Sequence, residues 1–225
     1  MARTVRSFAL LTMSWLLVLG TPREAIAQWN LARRTPGQTH VYLGGGVDHA
    51  AVGTLGAAHV TSLWQRALLL RLEGSVAAGG RDLADYGARA AAELSLLQRG
   101  ALRMSLGLGA VNRGTNNTIF RANSFGTDIQ SQVGVFGRHA FAAVELGLER
   151  SAVTHLAFTD RYRANYPAAR DGWYATTATT ARAGVALGLS VARSELMLRG
   201  GLVRAPRGEA LIPPAYLSLG IGRRF

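Results

Sequence analysis

The segment 67–78 reads ALLLRLEGSVAA and has the two-residue period of a β-strand. Successive side chains of a strand point to opposite sides. The leucines at every second position therefore lie on one face, and Arg71 and Glu73 lie on the other. Charge and apolar bulk are separated between the two faces of a single strand. The same period recurs through most of the chain and predicts an all-β protein.

Ten runs with this period are separated by clusters of Gly, Asn, Asp, Arg and Pro, several of which favour turns. The runs cover residues 39–48, 55–64, 67–78, 86–97, 101–112, 126–136, 140–150, 173–189, 195–204 and 215–225. Ten antiparallel strands are the first interpretation. An eight-stranded arrangement, with the weak run 55–64 merged into a loop, is the alternative.

The connections between the runs alternate in length. Residues 65–66, 98–100, 137–139 and 190–194 form short joints, whereas 113–125 and 151–172 are long. Short turns at one end and long loops at the other are typical of transmembrane β-barrels. Glycines on the face opposite the apolar one would suit a crowded interior. We therefore predict a closed antiparallel up-and-down transmembrane β-barrel, with a soluble sandwich as the competing interpretation.

The first residues have the features of a secretory signal peptide. Arg3 and Arg6 precede the largely apolar stretch 8–19, and Ala25 and Ala27 have the small-x-small spacing of a cleavage site. We expect residues 1–27 to be removed, 28–38 to form a periplasmic N-terminal segment, and 39–225 to form the barrel domain. The chain has no cysteine, so thiol catalysis and cysteine metal sites are excluded.

The last eleven residues, 215–225, read AYLSLGIGRRF. Apolar residues at alternate positions before a terminal aromatic resemble the carboxy-terminal assembly signal of outer-membrane β-barrel proteins. The matching residues are Leu217, Leu219, Ile221 and Phe225, whereas Arg223 departs from the pattern. The resemblance, to small barrels of the OmpA-like or OmpW-like size class, implies recognition by the barrel assembly machinery and a location in the bacterial outer membrane.

A barrel orientation places the charged face of each strand toward the lumen. Charges in a narrow interior are costly unless they are paired, so we expect a network of ion pairs that fills the lumen. The alternative is a narrow channel for small solutes or ions, lined by the same side chains. The expected lumen network consists of Arg71, Glu73, Arg89, Glu93, Arg103, Glu145, Glu149, Arg182 and Arg199.

Residues capable of catalysis are scattered and lack motif spacing. A lipid A-modifying enzyme is the least favoured function. It would need a catalytic group formed by His155 with Ser151 and Asp160, or by His59 with Asp48. The aspartates Asp48, Asp82, Asp85 and Asp160 do not form a calcium-binding loop pattern. We therefore expect a protein that is not an enzyme and has no cofactor and no metal.

The net charge is +12, and all of the 25 basic residues counted as Lys or Arg are arginine. Nucleic acid is not expected as a partner of an exported chain. Arginine suits phosphate, so we expect contact with outer-membrane lipid and lipopolysaccharide. The loop arginines are Arg113, Arg121, Arg161, Arg163, Arg170, Arg204 and Arg207. A protein partner could contact the extracellular loops through Phe120, Phe158, Tyr162, Tyr166 and Trp173. The predicted role is structural, surface-contact or partner-binding.

Overall fold

The structure is a computed structural model that describes residues 29–48, 50–78, 85–176, 178–204 and 215–225. The predicted signal peptide, Asp82 and Arg207 lie outside the described residues. Among the described residues, no helix has the length and apolar character needed to cross a membrane.

The described residues form eleven strand segments and one short α-helix. The strands are β1 (Thr39–Asp48), β2 (Ala50–Leu63), β3 (Arg66–Ala78), β4 (Tyr86–Arg99), β5 (Leu102–Asn116), β6 (Phe120–Phe136), β7 (Ala140–Phe158), β8 (Gly172–Ala175), β9 (Thr179–Val191), β10 (Ser194–Arg204) and β11 (Ala215–Arg224). The helix α1 covers Asp160–Asn165, and a single 3-10 turn covers Leu31–Arg33.

The sheet closes on itself. Each strand pairs antiparallel with its neighbours, and pairing of β1 with β11 and of β6 with β7 leaves a complete ring. Both β8 and β9 pair with β7, β8 along 153–156 and β9 along 140–150, so together they fill one position in the ring. The barrel therefore has ten strand positions. The ten-strand prediction is confirmed, and the eight-strand alternative is wrong because β2 is paired along both sides.

The barrel is apolar outside and polar inside. On β3, Leu72 is 66% exposed, whereas the neighbouring Arg71 is only 3% exposed. The same contrast recurs on β5 and β7, where Leu108 and Leu146 face outward. A soluble sandwich would bury those leucines, so that competing interpretation is wrong. A continuous apolar exterior on a closed ring of strands is the arrangement that a bilayer requires.

The two ends of the barrel differ as expected, but the long loops are shorter than predicted. At the short-turn end, Trp64 and Gln65 form a two-residue hairpin turn in which both have positive φ (50° and 62°). At the long-loop end, β5 and β6 stay paired to Asn116 and Arg121, and β7 runs to Phe158. Polar and apolar residues are mixed on both faces there, so the sequence shows no two-residue period above the apolar belt.

Candidate functional site

The lumen is occupied at its short-turn end by the segment that precedes β1. Trp29 is 1% exposed, and its ring lies 5.1 Å from that of Tyr42 and 6.2 Å from that of His40. Gly222 on β11 faces this indole, and a Cβ added there would lie 2.1 Å from the Trp29 ring. Glycine at position 222 therefore provides the space that the indole occupies.

Polar contacts hold the same segment in place. The Asn30 side chain donates to the Gly137 carbonyl (2.9 Å) and to Ser190 Oγ (3.1 Å), and its backbone N–H donates to Glu195 Oε2 (3.2 Å). We expected residues 28–38 to be a periplasmic segment. Hydrogen bonds join its described part to the β6–β7 turn and to β9 and β10 at the short-turn end.

An apolar cluster lies around Trp29 and fills this end of the barrel. Within it, the rings of Phe136 and Phe141 are stacked, with 5.2 Å between their centres. The cluster consists of Trp29, Leu31, Tyr42, Phe136, Phe141, Ala143, Ala186 and Met197. We call residues 29–34 together with this cluster the N-terminal plug.

Ion pairs occupy the middle of the lumen. Arg199 Nε lies 2.8 and 2.9 Å from the two carboxylate oxygens of Glu145, and Nη2 adds a further contact, so the pair is forked. Both side chains are 5% exposed. Arg34, from the N-terminal plug, lies 2.9 Å from Glu93 on β4. These ion pairs join β10 to β7, and the N-terminal segment to β4, through the interior.

A second charged group lies nearer the long-loop end and is centred on Glu149. Arg113 donates to both of its oxygens (2.7 and 2.8 Å), Arg182 lies at 3.2 Å and Arg89 at 3.5 Å. Arg89 also lies 3.6 Å from Asp128. Three arginines and two carboxylates thus form a network of ion pairs that connects five consecutive strand positions of the ring, from β4 to β9. We call this group the Glu149 cluster.

Of the nine residues expected in the lumen, the structure brings five together: Arg89 and Arg182 with Glu149, and Arg199 with Glu145. The remaining four contact other groups or lie buried on β3. Tyr42 donates to Glu73 (2.7 Å), Arg34 pairs with Glu93, Arg103 donates to the Leu31 carbonyl (3.3 Å), and Arg71 is buried.

Sequence reasoning missed several lumen residues. Asp128, Gln130 and Gln132 are buried on β6, and the alternation with Ile129 and Val133 would have identified them. The prediction that Arg113 lies in an outer loop is wrong, because its side chain lies in the Glu149 cluster. No periodic signal marks Trp29 or Arg34, because they precede the first strand.

The expected assembly-signal residues line the outer face of the last strand. Leu217, Leu219, Ile221 and Phe225 are all exposed to the surroundings of the barrel. Arg223, the departure from the pattern, places its guanidinium 5.6 Å from the centre of the Phe225 ring. The arginine therefore packs on the terminal aromatic residue through a cation–π contact.

The scattered catalytic candidates do not form a site among the described residues. His155 packs on Trp173 (5.0 Å between ring centres), and Asp160 is held by Arg163 (3.1 Å). His59 contacts Thr39 at the short-turn end, whereas Asp48 lies at the other end of β1. Within the described ranges, no group of three or more His, Asp or Glu side chains could hold a metal ion.

A polar clasp closes the loop that contains α1. The Phe158 N–H donates to Asp171 Oδ1 (2.8 Å), and Arg163 Nη1 donates to Asp171 Oδ2 (2.9 Å). The backbone hydrogen bond, followed by the contact with Arg163, lowers the pKa of Asp171. Asp160 and Asp171 therefore both contact the Arg163 guanidinium, and contact of this arginine with lipid phosphate stays a prediction.

This depressed pKa predicts how the clasp responds to acid. Stabilisation by Asp171 should be fully present above the pKa of an unfolded aspartate, about 3.9, and should be lost only as the pH falls through the lower folded value. NMR titration of the Asp171 carboxyl carbon checks this. The Asp171→Asn variant should lose the matching pH dependence of the α1 amide shifts. Titration of Asp171 at or above the ordinary aspartate range would contradict the clasp.

The closed ring, the apolar exterior and the charged, filled interior define the class of protein: a small bacterial outer-membrane β-barrel. No protein-family profile and no curated protein matches the sequence. Among solved structures, the chain is similar to an outer-membrane channel from Pseudomonas putida F1, with a TM-score of 0.50, 12% identity, and coverage of 89% of this chain and 100% of that one.

Two further structures show the same kind of similarity. The N-terminal β-barrel domain of Pseudomonas aeruginosa OprF gives a TM-score of 0.39 and 12% identity, covering 84% of this chain and 98% of that one. The attachment invasion locus protein Ail of Yersinia pestis gives a TM-score of 0.39 and 9% identity, covering 85% of this chain and 100% of that one.

Proposed function

We propose that this protein is a plugged, non-enzymatic barrel that acts through contacts at its long-loop end. The observation that carries the proposal is the N-terminal plug, in which Trp29 and its neighbours fill the short-turn end of the lumen. The forked pair of Arg199 with Glu145 and the Glu149 cluster occupy the space above it. Small barrels filled by side chains serve as rigid scaffolds for their loops.

The loop with α1 supplies a surface that suits a protein partner. Phe158 stacks on Tyr162 (5.2 Å), and Tyr162 stacks on Tyr166 (4.7 Å). Tyr166 is 58% exposed, and Arg161 and Arg170 are exposed on the same loop. Tyrosine and arginine are enriched at the energetic centres of protein interfaces. Because the stack is already formed, a partner would not need to order it.

Single-channel recording of the refolded mature chain in planar bilayers tests the plugged state. We expect a band that shifts on boiling in gels, which shows a folded barrel, and no discrete current steps. A variant lacking residues 29–38 should fold and conduct, because the segment that closes the short-turn end is gone. Current steps from the wild-type chain of the same size as those of the deletion variant would overturn the proposal.

A narrow channel for small solutes or ions is the second candidate function. It is favoured by buried polar atoms without a hydrogen-bond partner among the described residues, on the side chains of Thr54, Ser75, Ser95 and Gln132. Buried polar groups of this kind are commonly satisfied by water, and a hydrated interior is a requirement for conduction. The similar structure from Pseudomonas putida F1 is also described as an outer-membrane channel. Wild-type current steps would favour this function.

A further inference from the structure

Two arginines lie on the outer wall at the upper edge of the apolar belt. On β7 the outward residues run Val144, Leu146, Leu148 and then Arg150, and on β10 Leu202 is followed by Arg204. The register aligns Arg150 with Thr179 and Arg204 with Ala181, both on β9. The two arginines therefore flank one strand, on its two sides, where the exterior changes from apolar to charged.

Both arginines are exposed and lack a hydrogen bond or ion pair with any described residue. This contrasts with Arg34, Arg113 and Arg199, which the lumen carboxylates hold. An exposed guanidinium on the wall of a membrane barrel meets lipid headgroups rather than bulk water. Arg150 and Arg204 are therefore positioned to bind an anion that the lipid supplies.

At the upper edge of the apolar belt, Arg150 and Arg204 lie on one side of the barrel. The outward residues near the long-loop ends of β1, β3, β4 and β11 are Val47, Val76, Tyr86 and Leu217, all apolar or aromatic and all exposed. A uniform requirement for headgroup contact would place arginine around the whole ring. Arg121 on β6 is also exposed, but it lies six residues beyond Thr127, the partner of Arg150, so it is farther toward the loops. At their own level, Arg150 and Arg204 form a localised pair.

The surface below the two arginines suits an acyl chain. The outward residues there are small, Ala181 and Ala183 on β9 and Gly200 on β10, whereas Leu146 and Leu202 project on either side. Ala183 pairs with both Leu146 and Leu202, so the small residues form the floor of a furrow between two apolar ridges. The furrow begins beneath the arginines and is about two outward residues of β9 long, because the next one, Val185, is 53% exposed and continues the apolar wall.

Aromatic residues mark the boundary zone beside the arginines. Trp173 and Phe125 lie 6.1 Å apart, and both are exposed on the outer wall above Arg150. Large aromatic rings favour the zone where hydrocarbon meets headgroups. Arg150 and Arg204 therefore begin just below this zone, and their long side chains reach up to the headgroups while the apolar wall continues below them.

We propose that Arg150 and Arg204 form a binding site for the phosphate group of an anionic lipid in the leaflet at the long-loop end, with an acyl chain lying in the furrow. The guanidinium fork matches phosphate oxygens in geometry and charge. The site depends on the outer wall alone, so it is independent of whether the lumen conducts.

Native mass spectrometry of the refolded mature chain in detergent tests the site, with lipid A that carries two phosphates as the probe. The Arg150→Gln/Arg204→Gln variant should bind this lipid roughly thirtyfold more weakly than wild type. The matched control is Arg99→Gln/Arg138→Gln, which removes the same charge from exposed positions at the short-turn end. The control should bind as wild type does, and both variants should keep the heat-modifiable band.

Further probes separate a lipid from a free anion. Lipid A without phosphates should bind weakly and equally to wild type and to the Arg150→Gln/Arg204→Gln variant. Inorganic phosphate at millimolar concentration should not displace diphosphorylated lipid A from the wild-type chain. Equal binding of diphosphorylated lipid A by all three chains, or displacement by inorganic phosphate, would overturn the proposal.

Discussion

The Glu145→Gln variant should be less stable than the wild-type barrel by about 3–5 kcal/mol, because removal of one partner leaves a buried charge unpaired. The Arg199 guanidinium is 5% exposed and forks onto both Glu145 oxygens. A glutamine at position 145 keeps the shape and one acceptor but has no charge to offset that of Arg199. Urea unfolding in phospholipid vesicles, followed by gel migration without boiling, measures the loss.

A double variant separates the unpaired charge from the loss of packing. Glu145→Leu with Arg199→Met removes both charges and keeps apolar volume, so its free energy of unfolding should return close to that of wild type. Wild-type stability for Glu145→Gln would show that water reaches Arg199. An equal loss in the single and double variants would show that the energy comes from shape rather than from charge pairing.

Trp29→Ala should also destabilise the barrel by about 3–5 kcal/mol, the usual cost of removing a buried tryptophan ring. The indole contacts His40 and Tyr42 and occupies space that Gly222 leaves open. Because the ring closes the short-turn end, the variant should also pass current in planar bilayers. Urea unfolding and single-channel recording on the same preparation measure the two effects.

Two further variants test this explanation. Trp64→Ala removes a ring that is 78% exposed in a hairpin turn, so it should change stability by no more than about 0.5 kcal/mol and should give no current. Gly222→Ala should resemble Trp29→Ala, since a Cβ there would overlap the indole. Conduction by Trp29→Ala without any loss of stability would show that the plug closes the lumen but does not support the fold.

The sequence was sufficient to predict the fold because the membrane imposes a simple rule on it. Every barrel strand has lipid on one side and the lumen on the other, so leucines such as Leu70 and Leu72 alternate with Arg71 and Glu73. That period determined the ten strands, the closed ring and the inward direction of the charged face. The period ends where the apolar belt ends, so it does not predict the extensions of β5, β6 and β7.

The arrangement of the interior was decided by tertiary structure alone. A two-residue period assigns Glu145 and Glu149 to the lumen, but it does not show which arginine on another strand reaches each of them. Arg199 and Arg113 are brought to these carboxylates by the curvature and register of the closed sheet. The plug depends on the same closure, because Trp29 has a buried place only when β1 and β11 meet and bring Gly222 beside it.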